Sequence, residues 1–277
     1  MNNSLLKILY CPECKNDLKN TKKSFICKTC KTNYPIIEGI QILLTKLNQE
    51  QSDVQKVYEK QDVAKNFGLK EEYTGSVKYR NILRKKVANI ICKKTKSKGI
   101  IVDIGCGNGL LIKEINKRRK DLQIIGIDFS LQMVLQAKEY ADKNKIDSLF
   151  IVASADNLPI KNNQANASIC IDVLHHFADR SMIKKSISEF IRIIKKDSIS
   201  LIELKVYSRL DKLISLTYKT LVLLNLKKQI KKTPMKGLTV NKISKKTIIK
   251  ELKKYNVKWQ TFKVHPLLNW IVFKVKK

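Results

Sequence analysis

The chain has 277 residues, 43% of them hydrophobic, and carries 56 Lys and Arg against 24 Asp and Glu. A chain of this length holds one full α/β domain plus a small module, and no stretch reaches the ~20 consecutive apolar residues of a bilayer-spanning helix. The N-terminal apolar run is too short for a secretory signal and cysteines follow it at once. The expected compartment is therefore the cytoplasm, where seven cysteines point to metal and buried thiols, not to disulfides.

In chain order, residues 1–46 read as a small zinc ribbon. Cys11-Pro-Glu-Cys14 and Cys27-Lys-Thr-Cys30 are separated by twelve residues. Two such knuckles place four thiolates around one zinc ion at about 2.3 Å each. A redox pair would need one Cys-x-x-Cys to open a helix in a thioredoxin-like unit, and none follows. All four positions are cysteine, so the expected zinc is structural and no ligand position is left open for catalysis. The run Tyr34-Pro-Ile-Ile-Glu-Gly-Ile predicts short strands about a turn at Gly39. Residues 47–97 form a connector. It has no proline, and the spacing of Val57, Ala64, Ile82, Leu83, Val87, Ile90 and Ile91 predicts helices.

From residue 98 to 277 the rhythm changes to short apolar runs alternating with helical stretches. Ile100–Ile104, Ile124–Ile127, Leu149–Val152, Ala167–Val173 and Ser198–Leu204 read as buried strands, with helices at Leu110–Arg119, Leu131–Asn144 and Met182–Ile194. A helix at Lys245–Tyr255 and strands at Val257–Val264 and Asn269–Val275 close the pattern. The fold class is α/β: a doubly wound, mostly parallel, seven-stranded sheet covered on both faces, behind a small N-terminal zinc ribbon.

The most informative run is Asp103-Ile-Gly105-Cys-Gly107-Asn-Gly109, which follows the first strand and opens a helix. Glycines there let the backbone turn sharply and approach a ligand at the carboxyl end of the sheet. A dinucleotide-binding loop would want a further glycine where Leu110 stands. A carboxylate at Asp103 would also repel a pyrophosphate, whereas S-adenosylmethionine carries an ammonium, a sulfonium and no phosphate. Asp128 ends the second strand and can accept both ribose hydroxyls, and Asp156, after the third strand, can accept from an adenine amino group. Each is also placed to cap a helix. Three carboxylates at the ends of three successive strands favour the cofactor.

Asp-Ile-Gly-Cys-Gly-Asn-Gly, Gly-Ile-Asp-Phe-Ser, Ala-Asp-Asn-Leu-Pro and Val-Leu-His-His-Phe, in this order, resemble the class I S-adenosylmethionine-dependent methyltransferases, and their ubiquinone/menaquinone-methyltransferase-like branch in particular. The resemblance covers about residues 58–204. It implies that Gly105, Gly107 and Gly109 border the methionine portion, Asp128 the ribose and Asp156 the adenine, and that Asp172 to His175 form the rim near the transferred methyl. One departure is Ile193-Ile-Lys-Lys-Asp-Ser198, where the family has a Leu-Lys-Pro-Gly-Gly turn. The cysteine segment resembles the small zinc-ribbon activator subunit of tRNA, rRNA and release-factor methyltransferases, here fused in cis. The order ribbon, connector, methyltransferase also resembles bacterial large-subunit rRNA guanine-N1 methyltransferases, which have His in place of the fourth Cys. Cys92, Cys106 and Cys170 read as ordinary buried thiols.

The methyl acceptor is less legible. There is no Asn/Asp-Pro-Pro-Tyr/Phe motif for exocyclic amines, and Cys170 lies inside a strand, away from any Pro-Cys pair. His175 and His176 remain as catalytic candidates, for a base or for orienting the acceptor, against a purely packing role. A Leu- and Lys-rich insertion at about 207–242 could be a lid, a membrane-surface helix or extra core. Lysine outnumbers arginine 49 to 7, as an A/T-rich genome would produce, yet the charge is uneven. Residues 99–205 hold 16 basic and 13 acidic side chains, and residues 206–277 hold 19 and 2. That basic flank suits RNA or another polyanion. The expected function is methyl transfer to RNA or a translation component, with a small apolar acceptor (a quinone or lipid) as the alternative. A non-enzymatic zinc-ribbon adaptor is disfavoured, because the cofactor carboxylates are all present.

Overall fold

The computed structural model describes residues 3–47, 49–70, 77–177, 179–205, 243–263 and 270–277. The insertion read at 207–242, with its Lys-rich end, lies outside the described residues. A short helix α1 (Asn3–Leu6) precedes the ribbon strands β1 (Leu18–Asn20), β2 (Ser24–Cys27), β3 (Asn33–Ile37) and β4 (Ile40–Ile42). The connector holds α2 (Gln49–Tyr58), α3 (Gln61–Asn66) and α4 (Val77–Lys94). The alternating part follows as β5 (Ile100–Ile104), α5 (Leu110–Asn116), β6 (Gln123–Asp128), α6 (Leu131–Lys143), β7 (Ser148–Val152), β8 (Ala165–Cys170), α7 (Arg180–Ile193) and β9 (Ile194–Lys205). It closes with α8 (Lys245–Leu252), β10 (Lys258–Lys263) and β11 (Trp270–Lys276).

The sheet order is β1-β2-β3-β4-β7-β6-β5-β8-β9-β11-β10. β7 to β9 run parallel, and β11 lies antiparallel between β9 and β10. The seven strands expected for the α/β part are thus all present. Order reverses between β5 and β8, which puts the carboxyl ends of β5, β6 and β8 around one crevice. Ile101 and Ile124 face the core under α4, α5 and α6, while Val102, Ile104, Ile125 and Ile127 face the opposite core with α7 and α8. This two-residue alternation on strands buried on both faces is what a doubly wound sheet demands.

The ribbon extends this sheet. Glu38 (φ 51°) and Gly39 (φ 76°) form the tight turn between β3 and β4. β4 then lies parallel to β7, with Gln41 opposite Ile151 and Ile42 opposite Val152. Leu5, Leu9, Phe25, Tyr34 and Leu43 of the ribbon share one apolar core with β5, β6, α7 and α8. Each such side chain contributes about 1.5–3 kcal/mol by leaving water, so ribbon and sheet stabilise one another.

Two boundaries differ from the sequence reading. The strand expected to reach Val173 ends at Cys170, because Asp172 adopts a left-handed backbone (φ 65°) and a 3₁₀ turn follows at Leu174–His176. At the departure after α7, Ile194 pairs with Ala165 but Ile199 pairs with Ala167, so residues 195–198 loop out of the ladder. Asp197 (φ 61°) supplies there the left-handed residue that a turn glycine would otherwise provide.

Candidate cofactor cleft and metal centre

The glycine loop sits at the carboxyl end of β5. Gly105 (φ 73°) could not take a side chain, since a Cβ would meet Val173 Cγ2 at 2.1 Å, and Gly109 (φ 80°) packs on the Ala137 backbone while starting α5. Gly107 (φ 52°) differs, because a Cβ there would meet nothing within 4 Å. Its open side faces a cleft of about 830 Å³, mouth included, whose lining includes Tyr58, Asp128, Phe129, Met133, Ser154 and His176. A second hollow on the other side of Gly105 and Gly107 reaches Asp103, Arg80 and Arg84.

Asp128 is buried at the cleft floor. Gly107 N–H donates to one oxygen (2.9 Å) and Ser130 N–H to the other (3.0 Å), with Phe129 N–H also bonded, which still leaves the carboxylate capacity to accept from a ligand hydroxyl. Burial pushes its pKa up to about 6, opposed by these N–H donors. Asp103 is 2% exposed and its Oδ2 has no hydrogen-bond partner among the described residues. Burial, and then the charge of Asp128, raise its pKa to about 7. An orphaned carboxyl oxygen beside a glycine loop fits a cationic ligand group, and Gly107 leaves room for that group to approach. Asp156 is not part of the cleft lining; it accepts from the Ser154 hydroxyl, and Ser154 itself faces the cleft.

The connector closes over this floor. Gln55 Nε2 donates to the Phe129 carbonyl (2.6 Å), Ser130 Oγ to the Tyr58 carbonyl (3.0 Å), and Asn108 Nδ2 to the carbonyls of Ala64 (3.0 Å) and Phe67 (2.9 Å). Glu59 receives Leu131 N–H (2.7 Å) and Gln132 N–H (3.2 Å), capping α6 from another element. Gln51 Nε2 donates to Ser154 (3.2 Å). Sequence reasoning missed Tyr58, Phe67 and Met133 as cleft residues, and Arg80 in the second hollow. Their local pattern is that of any amphipathic helix; the fold of α2–α4 back over the loop brings Tyr58, Phe67 and Arg80 here, and Met133 comes from the start of α6.

At the rim the two histidines part company. His176 faces the cleft, with Nε2 3.0 Å from the Tyr58 hydroxyl. Burial pushes the Tyr58 phenol well above its ordinary range, so the hydroxyl stays neutral and can donate to or accept from Nε2, according to the His176 tautomer. His175 is 4% exposed and lies 3.6 Å from Asp172. Asp172 is ion-paired with Arg80, and its N–H donates to Glu203 (2.9 Å). Ligand atoms of Asp172, His175 and Glu203 lie within 4.8 Å of one another. With the Arg80 guanidinium already against Asp172, this is an ion-pair network and not a cation site.

In the ribbon, the sulfurs of Cys11, Cys14, Cys27 and Cys30 all lie within 4.8 Å of one another. Cys11–Cys30 (3.6 Å) and Cys14–Cys27 (3.3 Å) approach the edge lengths of a thiolate tetrahedron around zinc. Thr29 and Cys30 N–H groups point at Cys27 Sγ (3.4 Å each), as a knuckle directs them at a thiolate. The donor set fits structural zinc. Cys92, Cys106 and Cys170 are buried thiols apart from this cluster.

An open Gly107 beside the buried Asp128, at a sheet reversal, fits a Rossmann-like methyltransferase fold, whose cofactor is S-adenosylmethionine. Comparison agrees. Residues 101–197 match the family described as methyltransferase domain, and residues 2–39 match that described as Trm112p-like protein. The chain therefore contains a methyltransferase domain and, N-terminal to it, a Trm112p-like zinc ribbon. An uncharacterized protein of Methanocaldococcus jannaschii is 32% identical over 140 residues, 48% of this chain and 50% of that protein. The tRNA (carboxymethyluridine(34)-5-O)-methyltransferase of Arabidopsis thaliana is 34% identical over 106 residues, 38% of this chain and 24% of that protein. The chain thus spans half or less of the length of these relatives. Over the ribbon, a UPF0434 protein of Methylobacillus flagellatus is 46% identical over 46 residues, 16% of this chain and 77% of that protein. Among solved structures, the complex of the Haloferax volcanii Trm112 methyltransferase activator with a methyltransferase matches with TM-score 0.52 at 13% identity, covering 71% of this chain and 90% of that chain. That likeness speaks for the fold. No described helix is long and apolar enough to cross a membrane.

Proposed function

We propose that the chain transfers a methyl group from S-adenosylmethionine to RNA, with a tRNA nucleoside as the acceptor. The observation that carries the cofactor half is the orphaned, buried Asp103 oxygen and the doubly supported Asp128, set on either side of the open Gly107. Support for the acceptor half comes from the tRNA methyltransferase relatives, from the Trm112p-like ribbon and from the basic balance of residues 206–277.

When bound, the cofactor supplies a methyl on a sulfonium. Asp128 holds the ribose hydroxyls, Asp103 accepts from the ammonium, and the turn from Ser154 to Asp156 receives the adenine edge. The connector excludes water from the cleft, which favours displacement at a sulfonium because its positive charge is dispersed in the transition state. His176, with Nε2 bound to the Tyr58 hydroxyl, can take an acceptor proton by relay through that phenol. His175 positions the Asp172 rim. If the acceptor is an oxygen anion, as the relatives' names suggest, no base is required and the His176–Tyr58 pair orients it.

Tritiated methyl transfer from labelled cofactor into fractionated RNA, protein and lipid of the source cell tests this. Label in tRNA is the expected result. Label in the lipid fraction would replace RNA by a small apolar acceptor, and label in none would overturn the proposal.

A further inference from the structure

The ribbon does more than lengthen the sheet, because it grips the turn that follows β7. Leu43 N–H donates to the Val152 carbonyl (2.9 Å) just after the β4–β7 pairing. Farther on, Asn157 Nδ2 donates to the Pro12 carbonyl (3.2 Å), and Asn157 Oδ1 accepts from the Lys15 ammonium. Tyr10 N–H donates to the Pro159 carbonyl (3.2 Å), Leu9 bridges Ile160, and Lys161 N–H donates to the Ile8 carbonyl (2.8 Å). Pro12 lies between the ligands Cys11 and Cys14, and Lys15 follows directly. The knuckle itself is closed by Lys15 N–H to the Cys11 carbonyl (2.8 Å) and Cys11 N–H to the Asn16 carbonyl (2.8 Å). One tight turn therefore presents two thiolates inward and, outward, the two groups that clamp Asn157.

Asn157 in turn shapes the cleft. Its N–H donates to the Ser154 carbonyl (3.1 Å), closing a turn whose Ser154 and Ala155 line the cleft and whose Asp156 bonds Ser154. Without a metal, no coordination ties Cys11 and Cys14 to Cys27 and Cys30, and the first knuckle is held only by its hydrogen bonds. The Pro12 carbonyl would then move and leave an Asn157 donor without its partner.

We propose that Asn157 is a positioning residue that couples the cysteine site to the cofactor cleft, so that metal occupancy of Cys11, Cys14, Cys27 and Cys30 sets affinity for the adenosine end of the cofactor. This rests on reading the cleft as the S-adenosylmethionine site. Coupling of two binding equilibria is reciprocal, so the cofactor must tighten zinc by the factor by which zinc tightens the cofactor.

The experiment uses the full chain. S-adenosylhomocysteine affinity is measured by calorimetry on zinc-loaded and chelator-stripped protein, and zinc affinity by equilibrium competition with a chelating dye, with and without S-adenosylhomocysteine. The expected change is on the order of tenfold in each direction. In Asn157→Ala both factors collapse towards one while zinc still binds. In Lys161→Ala, which removes the neighbouring pair with Asp17 (2.7 Å) but not the knuckle clamp, both factors persist. If stripping unfolds the chain, zinc-loaded Asn157→Ala is the deciding case, with weakened cofactor binding at full zinc content expected. Equal cofactor affinity with and without zinc in folded protein, or a coupling undiminished in Asn157→Ala, overturns the proposal. Absence of binding by zinc-loaded wild-type protein would instead overturn the cofactor reading itself.

Discussion

Asp103, in the hollow behind the glycine loop, and Asp128, at the cleft floor, have pKa values raised to about 7 and about 6, chiefly by burial. An aspartate in an unfolded chain titrates near ~3.9. The folded protein therefore binds these protons more tightly than the unfolded one, and their contribution to stability is present below pH ~4 and lost as pH rises through 6 to 7. Binding has the opposite sign, because an ammonium ligand needs Asp103 ionised. We expect S-adenosylmethionine affinity to fall as pH drops below about 7, with proton release on binding, and to fall again as an α-amino group deprotonates near ~8. Calorimetry in buffers of different ionisation enthalpy measures this. In Asp103→Asn the acid limb should move down to about 6, the value for Asp128, and an unmoved limb would remove Asp103 from the ammonium site. The two histidines should also separate. His176→Ala is expected to lower kcat about 10²-fold or more with little change in cofactor affinity. His175→Ala should act mainly through a lower Tm, since that ring is buried against Asp172.

The connector is the element on which cleft closure depends, and Glu59 is its principal tie. Removing its carboxylate leaves the Leu131 and Gln132 N–H groups at the start of α6 without their partner. Glu59→Ala should cost about 1–2 kcal/mol and speed hydrogen exchange in α2 and α3 more than in β5 or β6. Uniform acceleration would mean that the connector opens only with the whole fold. This element also shows where the sequence was readable. The strands of the α/β part announced themselves by short apolar runs alternating with helical stretches, and the glycine loop by residues whose φ only glycine tolerates cheaply. The cysteine spacing likewise pointed to the cluster that the fold assembles. Tyr58 and Arg80 were not legible, because a helix pattern states which face is apolar and not what that face will cover. The early end of β8 at Cys170 was hidden for a related reason. Ile171 and Val173 are good strand residues, and the left-handed turn at Asp172 goes with partners on distant elements, the ion pair with Arg80 and the bond from its N–H to Glu203.

For the molecule as a whole, the charge imbalance invites a direct test. Each phosphate neutralised releases condensed counterions, so RNA affinity should fall steeply with salt. Replacing Lys227, Lys228, Lys231 and Lys232 with Gln should flatten that slope and leave cofactor affinity unchanged. Filter binding across a salt series checks this, and an unchanged slope would assign those lysines no part in RNA contact. The parallel pairing of β4 with β7 has a consequence of another kind, in time. Gln41 meets Ile151, so the strand that closes the sheet edge is synthesised about 110 residues before its partner. At ~5–20 residues per second that interval is roughly 5–20 s. During it Ile40 and Leu43, both buried in the finished protein, have no sheet to cover them. A metal-closed knuckle is the part of the ribbon that can form from local residues alone, and it would hold the nascent hairpin compact until β7 emerges. Translation-arrested chains stopped near residue 140 should remain open to protease at Ile40–Ile42, more so with chelator, and full-length released chains should not. Full protection in the short chain would show that this hairpin needs no partner strand to be sheltered.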